Sequence, residues 1–114
     1  MKYSDTAKEL LDSLDFTPPQ EYIDFLVESP NLELQNDSEY ISFYSIDKLV
    51  ELNKAYEVIE LLPGFFLIGS DGGGEGYVIK KATGEIYRSP FIGMDVKYLV
   101  FKYKSFKELL DTFN

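Results

Sequence analysis

A glycine-rich segment between two apolar runs places the strongest constraint on how this chain folds. Residues 63–81 read PGFFLIGSDGGGEGYVIKK, with five glycines between residues 69 and 76. The run Phe65–Ile68 has the length of one buried strand, and Tyr77–Ile79 begins a second strand. Glycine accepts positive φ angles and lets another backbone approach closely. The segment therefore predicts a tight β-hairpin, which we expect at the centre of a sheet.

Two helices are predicted before residue 30. A first helix over residues 4–14 opens with a capping box that starts at Thr6. Thr17 is predicted to cap a second helix with Pro18 at its first position. This second helix is expected to stop before Pro30, because the residue preceding a proline avoids the α conformation.

The middle of the chain predicts strands around a third helix. A short strand is predicted at Leu32–Leu34 within a polar stretch, followed by a strand over Tyr40–Tyr44. Ser45 is the expected N-cap of a helix that closes between Asn53 and Tyr56. The apolar residues of Val58–Leu62 predict a further strand before the glycine-rich hairpin.

The residues after the hairpin predict two more strands and a final helix. Gly84 stands at a turn position, and Glu85–Arg88 alternates as a strand does. Pro90 indicates the end of that strand or an edge of the sheet. Val96–Tyr103 is predicted as one more strand, and Ser105 is the expected cap of the last helix.

The order of these elements predicts an α+β fold with a central, mostly antiparallel sheet flanked by helices. Short connections between consecutive strands favour a meander. The 114 residues suit a single domain over residues 1–114, and 45% of them are hydrophobic, which is enough for a packed core. The N-terminus lacks a signal-peptide pattern and no apolar run is long enough to span a membrane, so a cytoplasmic protein is expected.

The composition restricts the chemistry that the chain can perform. It has no cysteine and no histidine, which removes disulfides, thiolate nucleophiles and the usual zinc ligands. It also removes the side chain that most often serves as a general acid or base. We therefore expect no catalytic residue, no metal and no cofactor. An enzyme that depends on carboxylates stays open as a minor alternative.

The negative charge is concentrated in the first half of the chain. The net charge is −9, and residues 1–60 hold 14 acidic and 4 basic side chains. Direct binding to nucleic acid is disfavoured, because a phosphate backbone needs a basic surface. A basic protein partner fits the charge, although acidity also keeps a small protein soluble.

The glycine loop does not fit the sequence pattern of a phosphate-binding site or of a calcium-binding site. It lacks the Gly-Lys-Ser/Thr ending of a nucleotide-binding loop, its glycines miss the dinucleotide spacing, and a strand follows it rather than a helix. Its two carboxylates, Asp71 and Glu75, would repel an anion, and the calcium-loop pattern is absent. A structural turn is the favoured interpretation, and contact with a partner protein is the alternative.

Five segments of the chain together resemble the SUKH superfamily, which includes the Smi/Knr-type regulators of fungal cell-wall assembly and many bacterial immunity proteins. The similar residues are the proline-led helix at Pro18–Leu26, Tyr40–Ser45 with the later Asn53, the stretch Pro63–Glu75 with its Gly-Ser-Asp-Gly-Gly-Gly-Glu core, Gly84–Tyr87, and Ser105–Leu110. Ser29-Pro30-Asn31 departs from the Asn-Gly that the family often has after its first helix, which puts that loop in doubt but not the fold.

The resemblance implies a non-catalytic immunity protein that binds and neutralises a cognate toxin, which is expected to be basic and for which a nuclease is one candidate. An acidic inhibitor would cover the basic surface of such a toxin. The alternative from the fungal relatives is a regulatory or scaffold domain without a toxin partner. The expected contact face comprises carboxylates between Glu21 and Glu60 together with Asp71 and Glu75, namely Glu21, Asp24, Glu28, Glu33, Asp37, Glu39, Asp71 and Glu75.

Overall fold

The chain is built around an antiparallel β-sheet, seen in a computed structural model that describes residues 5–29 and 31–113. Over these residues, six strands form one sheet whose spatial order is the same as their order in the chain. Each strand thus pairs with the next strand in sequence, and the predicted meander is confirmed. The strands are β1 (Glu33–Gln35), β2 (Tyr40–Phe43), β3 (Phe65–Ser70), β4 (Glu75–Lys80), β5 (Ile86–Pro90) and β6 (Val100–Tyr103).

Helices cover both faces of this sheet. Within the described residues there are five α-helices and one 3₁₀ turn, Val96–Tyr98. The predicted α+β fold is therefore confirmed. The helices are α1 (Asp5–Ser13), α2 (Gln20–Glu28), α3 (Ile46–Ala55), α4 (Val58–Leu61) and α5 (Phe106–Thr112).

The alternation of side chains along the two central strands divides the core into two layers. In β3, Phe66 belongs to the larger layer and Leu67 to the smaller one, and in β4, Tyr77 and Val78 divide in the same way. The larger layer is completed by the buried faces of α1, α2, α3 and α5. The smaller layer is closed by α4 and the segment before β6, through Val58, Leu62 and Met94.

The central hairpin has the predicted form, and steric crowding explains why its first glycine, Gly69, has no side chain. Phe65 pairs with Lys80 and Ser70 pairs with Gly76 across β3 and β4. A Cβ atom at Gly69 would lie 2.8 Å from the backbone oxygen of Ser42 in β2. Glycine at this position is thus required by the close approach of the neighbouring strand.

The start of α2 differs from the prediction. The helix begins at Gln20 rather than at Pro18, and Thr17 does not cap it. Pro18 precedes Pro19, and a residue before proline avoids the α conformation, so the helix begins only after the second proline. The carbonyl of Pro19 accepts the first helical hydrogen bonds, including the one from Tyr22 N at 3.1 Å.

The predicted strand over Val58–Leu62 is wrong, because this segment contains the short helix α4. Glu57 has a φ of 55°, and this left-handed residue turns the chain directly from α3 into α4. Val58 and Leu62 are buried at a spacing of four residues, whereas Ile59 and Leu61 are exposed. This burial follows the helical period rather than the strand period of two.

The last predicted strand is shorter than expected. Val96–Tyr98 forms a 3₁₀ turn, in which the side chain of Asp95 accepts a hydrogen bond from Lys97 N at 3.0 Å. This cap holds the backbone in a turn, so β6 starts only at Val100. The preceding strand, β5, ends at Pro90, as the proline predicted.

The predicted helix caps have different outcomes. Ser105 Oγ accepts a hydrogen bond from Glu108 N at 3.1 Å, which confirms the cap of α5. Ser45 occupies the N-cap position of α3, but its hydroxyl donates to Asp47 Oδ1 and makes no capping bond. The predicted cap at Thr6 lies outside the described side chains.

The side chain of Asn53 joins α3 to the central strand. Its amide nitrogen donates to the carbonyl oxygens of Leu49 and Leu67, both at 2.9 Å. Its amide oxygen accepts from Leu67 N at 2.8 Å. One side chain therefore satisfies both backbone groups of Leu67 on the side of β3 that faces the helix.

Replacing Asn53 should destabilise the protein strongly. Asn53→Ala leaves the N–H and C=O of Leu67 without these partners, and we expect the free energy of unfolding to fall by about 2–4 kcal/mol. Urea denaturation measures the change. Lys54→Ala, at the next and exposed position of the same helix, is the control and should change stability by less than about 0.5 kcal/mol. Equal effects of the two substitutions would contradict the proposed role of the amide.

Two glycines of the hairpin should respond differently to alanine. Gly69→Ala forces a methyl group against the backbone of β2, and we expect a loss of about 1–3 kcal/mol. Gly74 has a negative φ and no atom within 4 Å of an added Cβ, so Gly74→Ala should stay within about 0.5 kcal/mol. Thermal and urea unfolding of the pair measure the difference. Comparable losses at both positions would contradict the steric explanation.

Candidate protein-binding surface

Three connections of the meander meet at one end of the sheet. They are the β1–β2 turn, the β3–β4 glycine loop and the segment after β5. A Cβ atom at Gly72 would lie 3.2 Å from the ring of Tyr40, which places the glycine loop against the start of β2. The amide of Phe91 donates to the carbonyl of Gly74 at 2.9 Å, which ties the third connection to the same loop.

The carboxylate of Asp71 holds the glycine loop in its shape. Its Oδ1 atom accepts hydrogen bonds from Gly73 N at 2.8 Å and from Glu75 N at 3.2 Å. Asp71 N also donates to Glu75 O at 3.0 Å. Gly72, between them, has a φ of 81°, a conformation that favours glycine. Asp71 thus acts inside its own loop, in the manner of an Asx turn.

Glu39 and Glu75 belong to a charged network that crosses the sheet. Glu39 accepts a hydrogen bond from the hydroxyl of Tyr77 on β4 and forms an ion pair with the ammonium group of Lys102 on β6. Glu75 Oε1 lies 3.0 Å from Nε of Arg88, an ion pair between β4 and β5. The side chain of Glu39 is only 14% exposed, so little of it is available to a partner.

The network changes the acidity of its members. Burial raises the pKa of Glu39, but the hydrogen bonds from Lys102 and Tyr77 and the nearby cations outweigh it, so its pKa lies below the ordinary value. Burial raises the pKa of the Tyr77 hydroxyl, and the hydrogen bond to Glu39 raises it further. Glu39 is therefore held ionised and Tyr77 is held neutral.

A second group of predicted contact residues forms a stripe along α2. Glu21, Asp24 and Glu28 recur at spacings of three and four residues, which places them on one side of a helix with 3.6 residues per turn. The buried residues Tyr22 and Ile23 lie on the opposite side. Asp24 Oδ1 accepts a hydrogen bond from Gln20 Nε2 at 2.9 Å along the same stripe.

The remaining predicted residues lie on the β1 edge of the sheet. Glu33 begins β1 and is exposed, and Asp37 is exposed in the turn that follows the strand. Asn36 shapes this turn, because its Oδ1 atom accepts from Ser38 N and Glu39 N, both at 2.8 Å. Among the ion pairs between described residues, none includes the carboxylates of Glu21, Glu28, Glu33 or Asp37.

The eight predicted carboxylates thus divide into an outer group and an inner group. The inner group of Glu39, Asp71 and Glu75 is engaged within the protein. We call the outer group the acidic face, and it consists of Glu21, Asp24, Glu28, Glu33 and Asp37.

The sequence did not indicate a groove that lies between α1, α3, α4 and β3. It encloses a cavity of about 550 Å³ whose lining includes Val50, Ile59 and Phe66, with Asp15 and Lys81 among its charged residues. Ile59 is 65% exposed and Val50 is 39% exposed. The available signal is the helical spacing of the apolar residues around residue 58, which the strand prediction for Val58–Leu62 overlooks.

The described part of the chain offers no evident metal centre. None of its side chains form a group of three potential metal ligands. None of its helices is long and apolar enough to cross a membrane. Two of the four carboxylates that form ion pairs between described residues, Glu39 and Glu75, pair with Lys102 and Arg88 in the charged network. The geometry is that of a structural network.

The sequence matches the model of the SMI1 / KNR4 family (SUKH-1) over residues 5–112. The matched residues include the glycine loop, Asn53 and the last helix. No curated protein matches the chain.

The ionised state of Glu39 predicts a specific dependence of stability on pH. Because its pKa is lower in the folded state, its contribution is complete above the ordinary glutamate pKa of about 4.3 and disappears as the pH falls through the folded value. Glu39→Gln should reduce the free energy of unfolding by about 1–3 kcal/mol at neutral pH, because Lys102 loses its counter-charge. Urea unfolding from pH 7 to pH 3 should show this difference shrinking towards acid.

Asp37→Asn is the matched control for Glu39→Gln, because Asp37 is exposed in the same turn. It should leave stability within about 0.5 kcal/mol of the parent protein. A difference between Glu39→Gln and the parent that is constant from pH 7 to pH 3 would exclude ionisation of Glu39 as its cause.

Proposed function

We propose that this chain, which belongs to the SMI1 / KNR4 family (SUKH-1), is a non-catalytic immunity protein that neutralises a cognate toxin by docking its acidic face on it. The observation that carries the proposal is the division of the predicted carboxylates. The family is known to include toxin-immunity proteins, and in this member the exposed carboxylates of Glu21, Glu28, Glu33 and Asp37 take part in no ion pair between described residues. Such groups are available to the cations of a partner.

The acidic face suits a toxin that acts on nucleic acid. A nuclease needs lysine and arginine side chains around its active site to bind the phosphate backbone. An inhibitor that places carboxylates over these side chains excludes the substrate and associates quickly, because opposite charges steer the encounter. The stripe on α2 supplies three carboxylates on one helix, and Glu33 and Asp37 supply two more at the β1 edge of the sheet.

The inner carboxylates have a different role in this proposal. Asp71 orders the glycine loop, and Glu39 anchors the β1–β2 turn to β4 and β6. Both connections lie at one end of the sheet. Rigid connections reduce the entropy that is lost on binding, so we assign these residues to positioning the surface rather than to direct contact.

A regulatory or scaffold domain without a toxin partner is the second candidate. The apolar groove beside α4 favours it, because exposed Ile59 and Val50 would suit an apolar side chain of any protein partner. The two candidates differ in how binding depends on charge. Docking through the groove is insensitive to salt, whereas docking through the acidic face is weakened by salt.

The proposal predicts that reversing charges on α2 impairs neutralisation. The test requires a neighbouring reading frame that encodes a toxin-like C-terminal domain, and this domain is co-expressed with the parent chain or with Glu21→Lys/Glu28→Lys. The parent should restore growth and form a stable complex. The variant should associate about tenfold more slowly or worse, because two attractive contacts become repulsive. Growth rescue and stopped-flow association rates measure the effect.

Glu9→Lys/Asp12→Lys is the control with the same change in net charge, and it places the lysines on exposed positions of α1. It should retain rescue and most of the association rate. If the parent chain neither rescues growth nor forms a complex, immunity against that toxin is rejected. If both double variants lose association equally, binding depends on net charge and not on the acidic face.

A further inference from the structure

The opposite edge of the sheet has a different composition from the acidic face. Residues 96–107 read VKYLVFKYKSFK and contain four lysines and no carboxylate, although the whole chain has a net charge of −9. Part of this segment is strand β6, the last strand of the sheet order. We call the exposed residues between positions 96 and 104 the β6 edge, namely Val96, Lys97, Tyr98, Val100, Phe101 and Lys104.

The backbone of β6 is paired on one side. It forms a ladder with β5, in which Arg88 pairs with Val100 and Ile86 pairs with Tyr103. Among the described residues, no further strand lies beyond β6. The outer side of a terminal strand presents N–H and C=O groups that can pair with another extended chain.

The two edges of the sheet are protected to different degrees. At β1, the exposed side chains are the polar Glu33 and Gln35, which discourage further pairing. At β6, Val100 is 50% exposed and Phe101 is 49% exposed. A terminal strand with exposed apolar side chains is either an aggregation hazard or a binding site.

One exposed ring of the β6 edge, that of Phe101, belongs to a row of aromatic contacts. The ring of Phe101 lies 5.6 Å from that of Tyr87, and the ring of Tyr87 lies 5.4 Å from that of Phe65. These edge-to-face contacts hold Phe101 on the sheet. The apolar surface is thus already ordered before any partner binds.

The charges of the β6 edge indicate what kind of strand would pair there. Lys102 is bound to Glu39 and Lys107 to Asp111, so these two lysines are neutralised within the protein. Lys97 and Lys104 are exposed, and neither takes part in an ion pair between described residues. Lys97 Nζ lies 5.2 Å from the ring centroid of Tyr98, at the start of the edge.

We propose that the β6 edge binds an extended acidic segment of a partner protein, which adds to the sheet as a seventh strand. Backbone groups of β6 supply the pairing, Val100 and Phe101 contact apolar side chains on the two faces, and Lys97 and Lys104 attract carboxylates at the two ends. A second copy of β6 would bring the same lysines together and is disfavoured. Nucleic acid is disfavoured by the net charge and needs no strand edge. This site is separate from the acidic face.

The test uses two capped peptides and the full chain. One peptide alternates valine with glutamate, and the other alternates valine with lysine. Amide chemical shifts of the isotope-labelled protein are followed by NMR during titration. The glutamate peptide should shift the amides of residues 97–104 and bind about tenfold or more tightly than the lysine peptide, because charge selects between two equally extended chains.

Lys97→Glu/Lys104→Glu should reverse the preference between the two peptides, whereas Lys48→Glu/Lys54→Glu, on exposed positions of α3, should leave it unchanged. Identical thermal unfolding of both variants would confirm that the fold is retained.

Equal binding of the two peptides, shifts outside residues 97–104, or no binding of either peptide would overturn the proposal. Tighter binding of a thymidine oligonucleotide at these amides would assign the edge to nucleic acid instead. A parent protein whose amide shifts at residues 97–104 depend on its own concentration, and which is a dimer in solution, would assign the edge to a second copy.

Discussion

The contact between Asn53 and Leu67 determines how the helices and the sheet fit together. The pairing of β2 with β3 extends only to Gly69, with one more hydrogen bond from Tyr44 N to Ile68 O. Beyond that point, the backbone of β3 would have unsatisfied groups on this side. The amide of Asn53 satisfies those of Leu67 and takes the place of a neighbouring strand. Helix α3 can therefore lie directly beside the sheet, and the groove next to α4 is a consequence of that arrangement.

The network around Glu39 performs a similar task with charges. Glu39 is on the β1–β2 turn, Tyr77 is on β4 and Lys102 is on β6, so one carboxylate joins parts of the sheet that are far apart in strand order. A carboxylate this poorly exposed is tolerated because a cation and a hydroxyl group both bind it. The inner carboxylates of this acidic protein therefore hold its connections in place, whereas the proposed function assigns the outer carboxylates to a partner.

Local patterns were enough to predict most elements but not their exact boundaries or contacts. The hairpin, the cap at Ser105 and the meander depend on neighbouring residues and were predicted correctly. The strand predicted at Val58–Leu62 was wrong, because four apolar residues within a five-residue segment are too short a sample to separate the helical period from the strand period. The candidate site was only partly predictable. Carboxylates can be counted in a sequence, but the pairing of Glu39 with Lys102 joins residues far apart in the chain.

The two proposed surfaces are connected through the same network. Lys102 belongs to β6, and its partner Glu39 follows Asp37, a member of the acidic face, by two residues. The ion pair already holds the β1–β2 turn in place, so a strand that pairs with β6 and shifts Lys102 would also shift Glu39 and the turn beside Asp37. Because coupling between two sites is reciprocal, a partner on the acidic face would then change binding at β6 by the same factor. Glu39 is the residue through which such coupling would pass, because it lies in the β1–β2 turn, binds Lys102 of β6 and has a side chain that is only 14% exposed.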